Sequence, residues 1–523
     1  MTPPQPNSPG AERSLKDLTK GLVEAPADVT VSDITLDSRA VSPGALFLAC
    51  RGRSHHGLQF AEQAIARGAR AILYEDDPVG SPHAPRWPSG IFAAPVPRLS
   101  RHAGLLADRF FGSPAQALTV AGITGTNGKT TCAWLLAQAL QGCGRPAAYM
   151  GTLGFGVPPS VTPTEHTTSD AVSVHRQLAG LRAAGAECVS MEVSSHAIDQ
   201  DRVAAVRFET AAFTNLTRDH LDYHGTMEAY GATKAKLFSW PTLAHRVINV
   251  DDPFGAHLAA QLSTTRLVIT TRSTDFPAAV TSLRHAEIVR AARVVPESSG
   301  LRISIDSSWG TSELAVPLIG EFNIDNVLTV LAVLLAWGIP LSKAANVLAL
   351  CKAPSGRMEV FGGTGAAPLA IVDYAHTPDG LEKALRAARA HCAGSLRVVF
   401  GCGGDRDTGK RPVMGRLAAE LADDVIVTDD NPRTEDPVKI VADILAGIPK
   451  QTVQSARGGA RGPAVLVDHD RAHAIRTAIE RSRAGDAILI AGKGHEDYQI
   501  YGTTRRPFKD QSVVTEALSG ASS

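Results

Sequence analysis

A β-branched apolar run, Leu118-Thr-Val-Ala-Gly-Ile-Thr124, leads directly into Gly125-Thr-Asn-Gly-Lys-Thr-Thr131 and then the helical pattern Cys132-Ala-Trp-Leu-Leu-Ala-Gln-Ala-Leu140. A strand, a glycine loop and a helix in that order aim backbone N–H groups and a helix N-terminus at phosphate. Lys129 reaches for terminal phosphates and the Thr130 hydroxyl suits Mg²⁺. The loop is a shortened form of the strict G-x-x-x-x-G-K-[ST] pattern, because Ile123 holds the place of the first glycine. A plain glycine turn does not need a lysine and two threonines, so ATP is the expected co-substrate.

The rest of the chain repeats this grammar. Short strands alternate with helical stretches from about 28 to 112, again to about 353, and again from 354 to 518. The expected fold class is α/β in three domains: a small N-terminal α/β domain (1–112), a central P-loop-type ATPase domain with a mostly parallel sheet (113–353), and a C-terminal Rossmann-like domain (354–523). Length alone gives about three or four domains. An antiparallel flap is expected around 278–316, disorder at 1–12 and 519–523, and an exposed loop at 452–463.

Lys+Arg and Asp+Glu both total 52, and this balance argues against nucleic acid as a partner. The seven cysteines form no C-x-x-C pair, which points to reduced thiols and no zinc module. The N-terminus lacks a signal-peptide pattern, and the apolar run Val327 to Trp337 is too short to span a bilayer. A cytoplasmic protein without membrane insertion is expected.

In doubly wound sheets, ligands sit beyond the carboxyl ends of the strands. Glu192, Ser194, Gln200 and Arg202 follow one strand, and Asn215, Asp219 and His220 follow the next. Glu192 and His220, facing the glycine loop, suit a divalent metal beside a triphosphate. Lys234 and Lys236 cannot share a helix face, and chemistry alone leaves Lys234 a solvated surface lysine. In the third region Gly401-Cys-Gly-Gly-Asp-Arg406 imitates a dinucleotide fingerprint but breaks at Arg406. Asp430-Asn-Pro-Arg433 can grip a carboxylate and Glu496 an ammonium, together the outline of an amino-acid site.

The loop Gly125 to Thr131, Met191-Glu-Val-Ser-Ser-His196, Thr214-Asn-Leu-Thr-Arg-Asp-His220, Ile371-Val-Asp-Tyr-Ala-His-Thr-Pro378 and Gly492-Lys-Gly-His-Glu496 together resemble the Mur ligase family. The resemblance runs in order from about 34 to 510 and implies an ATP-dependent acid–amino-acid ligase of cytoplasmic peptidoglycan precursor synthesis. Its catalytic residues would be Lys129, Glu192, His220 and Lys234. ATP would lie on Gly125, Thr126, Asn127, Gly128, Lys129, Thr130 and Thr131, with Asn323 and Asn326 beside adenine. Arg357, Asp373 and His376 would add nucleotide contacts from the third domain. Leu36, Ser38, Arg53, Ser54 and His55 would take the uridine diphosphate end of the acceptor, and Thr167, Thr168, Ser194, Gln200 and Arg202 its muramoyl-dipeptide end. Two Mg²⁺ ions would be held by Thr130, Glu192, His220 and Lys234, the last as a carbamate. Arg406, Asp430, Asn431, Pro432, Arg433, Gly492 and Glu496 would form the amino-acid pocket.

The arginine of the Asn-Pro-Arg loop points to meso-diaminopimelate, since lysine would leave that guanidinium unpaired. The implied reaction therefore joins meso-diaminopimelate to UDP-N-acetylmuramoyl-L-alanyl-D-glutamate through an acyl phosphate, in a monomer. The alternatives are an L-lysine-adding ligase, a folylpolyglutamate synthase, which the motif at 35–55 disfavours, and a catalytically dead ATP-binding regulator.

Overall fold

The computed structural model describes residues 12–52, 55–76, 87–262, 266–274, 285–297, 300–449 and 464–520. Arg53, Ser54 and the loop expected at 452–463 fall outside these residues, as do 1–11 and 521–523. Two edges of the expected disorder are ordered instead. Glu12 accepts a hydrogen bond from the Thr30 hydroxyl at 2.9 Å. Helix Asp510–Gly520 also runs into the tail, its Ser519 hydroxyl donating to the Thr515 carbonyl at 2.8 Å. A helix already docked carries its small polar end along with it.

The chain divides into two compact units. The first extends to Thr270 and takes back 285–287 and Ala332–Trp337. After a short antiparallel pair, Arg13–Ser14 with Thr30–Val31, come four parallel strands in sequence order, Asp33–Thr35, Ala45–Ala49, Ala71–Asp76 and Phe92–Pro97. Against them packs the helix Leu99–Phe110, burying Leu99, Ala103, Leu106 and Phe110 along one face. That i, i+4, i+7, i+11 spacing makes a single apolar stripe. Ala171 and Val172, from the helix Ala171–Ala183, share this core.

The larger sheet of the unit has a parallel centre, in the spatial order Ala147–Gly151, Cys188–Glu192, Thr119–Thr124, Phe208–Phe213, His245–Asn249, Leu267–Thr271. Two antiparallel strands, Gly154–Val157 and Ser160–Thr162, widen its edge, an extension the alternation did not foretell. Cys188–Glu192 and Thr119–Thr124 are buried almost throughout, as strands covered on both faces must be. Their parallel pairing delivers the glycine loop, Glu192 and Thr214 to one end of the sheet.

The second unit comprises 271–274, Ile288–Leu331 and the described residues from Gly338 onward. The expected flap is present as antiparallel strands Glu287–Glu297, Gly300–Ser307 and Gly310–Val316. A six-stranded sheet follows, ordered Glu359–Gly362, Leu369–Asp373, Ala487–Ala491, Leu396–Phe400, Asp424–Val427, Ala464–Val467, parallel except for its first strand. Two apolar clusters cover its opposite faces, one around Leu385, Val398 and Leu489, the other around Val399, Ile475 and Ile488. Arg471 lies fully buried in a two-pronged ion pair with Asp510, both prongs 2.8 Å, and also donates to the Ala491 carbonyl. Among the described residues no helix is long and apolar enough to cross a membrane.

Candidate active site

The glycine loop turns on Gly125 (φ 150) and Gly128 (φ 84), and Gly128 starts the helix Lys129–Gly142. A side chain at Gly125 would run into the Thr214 hydroxyl, so the close approach of the two strand ends requires glycine there. Thr214 in turn donates to the Asn127 carbonyl at 2.6 Å, and Asn127 N–H donates to Asn215 Oδ1 at 2.9 Å. The neighbouring strand thereby fixes the loop before any ligand arrives.

Two lysines converge on this loop. Lys129 Nζ donates to the Gly125 and Thr126 carbonyls, both at 2.9 Å. Lys234 Nζ donates to the same Gly125 oxygen at 2.7 Å and lies 4.5 Å from the centre of the Tyr230 ring. Lys234 is 1 % exposed, so the structure overturns the reading of it as a solvated surface lysine. The helix Met227–Ala235 puts it on the inner face, while Lys236 stays outside, 3.5 Å from Asp199. Burial, reinforced by the Lys129 charge, holds the Lys234 ammonium well below its usual pKa. Two lysine Nζ groups donating to one carbonyl oxygen make a site rich in donors.

Glu192 supplies a carboxylate at the next strand end. Its Oε2 accepts from the Thr130 hydroxyl at 2.9 Å, and its Oε1 from the Tyr149 hydroxyl at 2.5 Å and the Thr152 N–H at 2.9 Å. Tyr149, Gly151 and Thr152 were not singled out from sequence; the signal was the Met150-Gly-Thr152 corner ending an apolar strand. His220 is less enclosed. Its backbone is left-handed (φ 52), Nε2 lies 3.5 Å from Asp219, and its ring is 4.8 Å from that of His196. Among the described residues no three His, Cys, Asp or Glu side chains stand close enough to grasp a metal by themselves.

The residues expected at the acceptor end form two groups within this unit. Thr168, Ser194, Gln200 and Arg202 interlock: Thr168 Oγ1 donates to the Glu192 carbonyl at 2.8 Å and accepts from Ser194 N–H at 3.2 Å. Arg202 donates to Gln200 Oε1 at 2.6 Å and to the Thr168 carbonyl at 3.0 Å. Thr167 joins through a 3.0 Å hydroxyl contact with Thr152. Leu36, Ser38 and His55 line a separate cavity of about 770 Å³ together with Phe60, Asp170 and Arg176. Arg176 closes one side by bonding Asp33 at 2.8 Å and the Ile34 carbonyl at 2.7 Å.

The second unit holds the remaining expected positions. Asn323 Nδ2 donates to the Ile319 carbonyl at 2.7 Å, and Asn326 Nδ2 to Asn323 Oδ1 at 2.8 Å. Arg357 lies over the Tyr374 ring at 5.1 Å. Desolvation raises the Asp373 carboxyl pKa, although Arg357 and the N–H groups of Met358 and Ala375 oppose it. His376 Nδ1 lies 2.8 Å from the Tyr374 carbonyl.

At the carboxyl ends of Asp424–Val427 and Ala487–Ala491, Asp430, Asn431 and Glu496 meet around Lys493. Its ammonium is fully buried, 3.4 Å from Asp430, 3.2 Å from Asn431 Oδ1 and 3.0 Å from Glu496. Asn431 Nδ2 donates to Glu496 at 2.8 Å. Lys493 had been passed over; a lysine between two glycines just past a wholly apolar strand was the available signal. Pro432 and Gly492 (φ 117) shape the backbone here. Arg433 donates to the Gly404 carbonyl at 2.7 Å. Arg406 is exposed and stays outside the Lys493 group, though Arg406 and Arg433 both flank Gly403.

Known proteins with this arrangement identify the lineage. Residues 30–106 match the Mur ligase family catalytic domain, 123–334 the Mur ligase middle domain, and 356–494 the Mur ligase glutamate ligase domain. A UDP-N-acetylmuramoyl-L-alanyl-D-glutamate--2,6-diaminopimelate ligase from Ectopseudomonas mendocina is 45% identical over 503 residues, 96% of this chain and 98% of its own. The protein of the same name from Xanthomonas campestris pv. campestris is 48% identical over 492 residues, 94% of either chain. A solved structure bearing that name superposes with a TM-score of 0.70 at 32% identity, covering 98% of this chain and 100% of the other. With matches that together span most of its length, the chain belongs to the Mur ligase family.

Proposed function

We propose that this protein is an ATP-dependent ligase that joins meso-2,6-diaminopimelate to UDP-N-acetylmuramoyl-L-alanyl-D-glutamate in peptidoglycan precursor synthesis. The observation that carries the reading is the pair of lysine Nζ groups, Lys129 and Lys234, on the Gly125 carbonyl beside the Thr130–Glu192 contact. That is a phosphate-seeking loop with an oxygen-rich flank. The names of relatives at 45% and 48% identity support the choice of acceptor and amino acid.

The acceptor's D-glutamyl side-chain carboxylate attacks the γ-phosphorus of ATP, ADP leaves, and an acyl phosphate forms. Lys129 meets the charge that develops on the transferred group. The diaminopimelate amine then attacks the acyl carbon and loses a proton, and phosphate departs as the amide closes. Thr168, Ser194, Gln200 and Arg202 position the muramoyl end of the acceptor, and Leu36, Ser38 and His55 its uridine end. Arg433 takes the far carboxylate of diaminopimelate and Glu496 an ammonium, with Lys493 and Asn431 holding Glu496 in place until the amino acid arrives.

The oxygen donors of Thr130 and Glu192 fit Mg²⁺ and would hold it, with the His220 imidazole as a nitrogen ligand, and the ion would neutralise charge on the triphosphate. Desolvation favours the neutral Lys234 amine, the form that adds carbon dioxide and releases a proton. Lys234 is therefore suited to become a carbamate, a carboxylate where the loop lacks one.

The test is ATP-dependent phosphate release with the acceptor, Mg²⁺ and either meso-diaminopimelate or L-lysine, with product mass confirmed. Turnover with diaminopimelate that vanishes in Lys129→Ala is the expected result. Turnover with lysine alone would discard the substrate assignment, and an active Lys129→Ala enzyme would discard the phosphate loop's role.

A further inference from the structure

The loop Asp429–Arg433 does not stand by itself. A hairpin built from Tyr498–Tyr501 and Thr504–Pro507 lies along it and bonds it at six points. Gln499 Nε2 donates to the Asp429 carbonyl at 3.3 Å and to the Asp430 carbonyl at 3.1 Å. The Ile500 N–H donates to Asn431 Oδ1 at 3.0 Å, and the Tyr501 hydroxyl to Asp429 Oδ2 at 3.1 Å. The Arg433 N–H donates to the Ile500 carbonyl at 3.0 Å, while the Gly502 N–H donates to the Arg433 carbonyl at 2.6 Å.

Arg433 has a left-handed backbone, φ 54, which a side chain with a Cβ adopts only under constraint. Such residues persist where the surroundings over-determine them. Here both backbone polar groups of Arg433 are spent on the hairpin, and one guanidinium N–H on Gly404. The hairpin therefore sets the Arg433 backbone, from which the guanidinium reaches the Gly404 carbonyl.

We propose that the hairpin 498–507 is a specificity-determining clamp, and that Gln499 is a positioning residue that fixes Arg433 for a carboxylate on the incoming amino acid. This rests on the assignment of the loop to diaminopimelate. Gln499 is buried and touches the loop only through backbone carbonyls, so it acts on the substrate at one remove. Without its amide the Asp429–Asp430 backbone loosens, Arg433 relaxes towards ordinary φ values, and the carboxylate must order the guanidinium itself. A substrate lacking that carboxylate gains nothing from the clamp and loses nothing with it.

The experiment compares wild type, Gln499→Leu, which keeps the side-chain volume, and Tyr501→Phe, which removes one hydroxyl contact. Wild-type turnover with diaminopimelate is measured first; its absence would overturn the substrate assignment and this proposal with it. Given that turnover, Gln499→Leu should raise KM for diaminopimelate at least tenfold and leave KM for ATP and the acceptor within twofold. Its preference for diaminopimelate over L-lysine in kcat/KM should fall about tenfold. Tyr501→Phe should shift both quantities the same way by a smaller factor. An unchanged KM and preference in a folded Gln499→Leu enzyme would overturn the clamp alone, as would a uniform loss of kcat with every substrate. If Gln499→Leu does not fold, Tyr501→Phe decides by the same two ratios.

Discussion

Single atoms set the tolerance of the phosphate loop. Gly151 packs so close to Glu192 that a methyl group there would collide with the carboxylate and with the Tyr149 hydroxyl. Neither neighbour can retreat, because Glu192 is held by Thr130, Thr152 and Tyr149 at once. Gly151→Ala is expected to push Glu192 off the Thr130 hydroxyl. The predicted cost is on the order of 10²-fold in kcat, the scale on which a misplaced catalytic group acts, with circular dichroism unchanged. Wild-type kcat in a folded Gly151→Ala enzyme would show that Glu192 has more freedom than these contacts allow. Lys234 gives the complementary lesson. Its sequence neighbours are those of a surface helix, and only the packing of that helix against Gly125 turns it inward.

Elements transmit these positions and carry their own liabilities. The helix Ala171–Ala183 begins with an Asp170 cap and buries His175 completely. His175 Nε2 lies 2.9 Å from the Ala204 carbonyl and Nδ1 3.5 Å from Asp108. Burial outweighs both of these partners and lowers its pKa below the usual 6.5. The unfolded chain therefore binds a proton that the folded imidazole resists, so stability falls as pH drops through about 6.5 towards the depressed value and levels off below it. His175→Gln removes this titration. Its melting temperature should decline less steeply than that of wild type between about pH 6.5 and 5, and parallel slopes would refute the assignment.

Elements were also what the sequence showed best. The strands ending at Thr124, Glu192 and Asp373 were legible because parallel, doubly covered strands read as short apolar runs. The edge strands Gly154–Val157 and Ser160–Thr162 and the hairpin 498–507 were not, since their residues are mixed and their partners distant. At the sites, Lys129 and Glu192 announced themselves by place, at the ends of such runs. Lys493 and Gln499 matter through neighbours brought from 60 or more residues away, as in the Lys493–Asp430 and Gln499–Asp430 contacts. The glycines flanking Lys493 mark its place, but no local pattern names partners at that separation.

At the scale of the molecule, each unit has its own buried core, with Phe47, Phe208 and Phe213 inside the first and Phe400 and Ile488 inside the second. Two cores of this size need not melt in one step. Calorimetry of the whole chain should give an unfolding enthalpy larger than the van't Hoff value from the same trace. A ratio of one would mean that the units unfold as a single body.

The Arg471–Asp510 pair has a consequence for how the second unit is made. Its cation belongs to the helix Arg471–Glu480 and its anion to the helix Asp510–Gly520, and both charges are sealed from water. Until Asp510 leaves the ribosome, the pocket for Arg471 holds a cation without its counter-charge, which folded protein tolerates poorly. The first unit can mature while synthesis continues. The second, and with it the loop read as choosing the amino acid, must wait until Asp510 has been made.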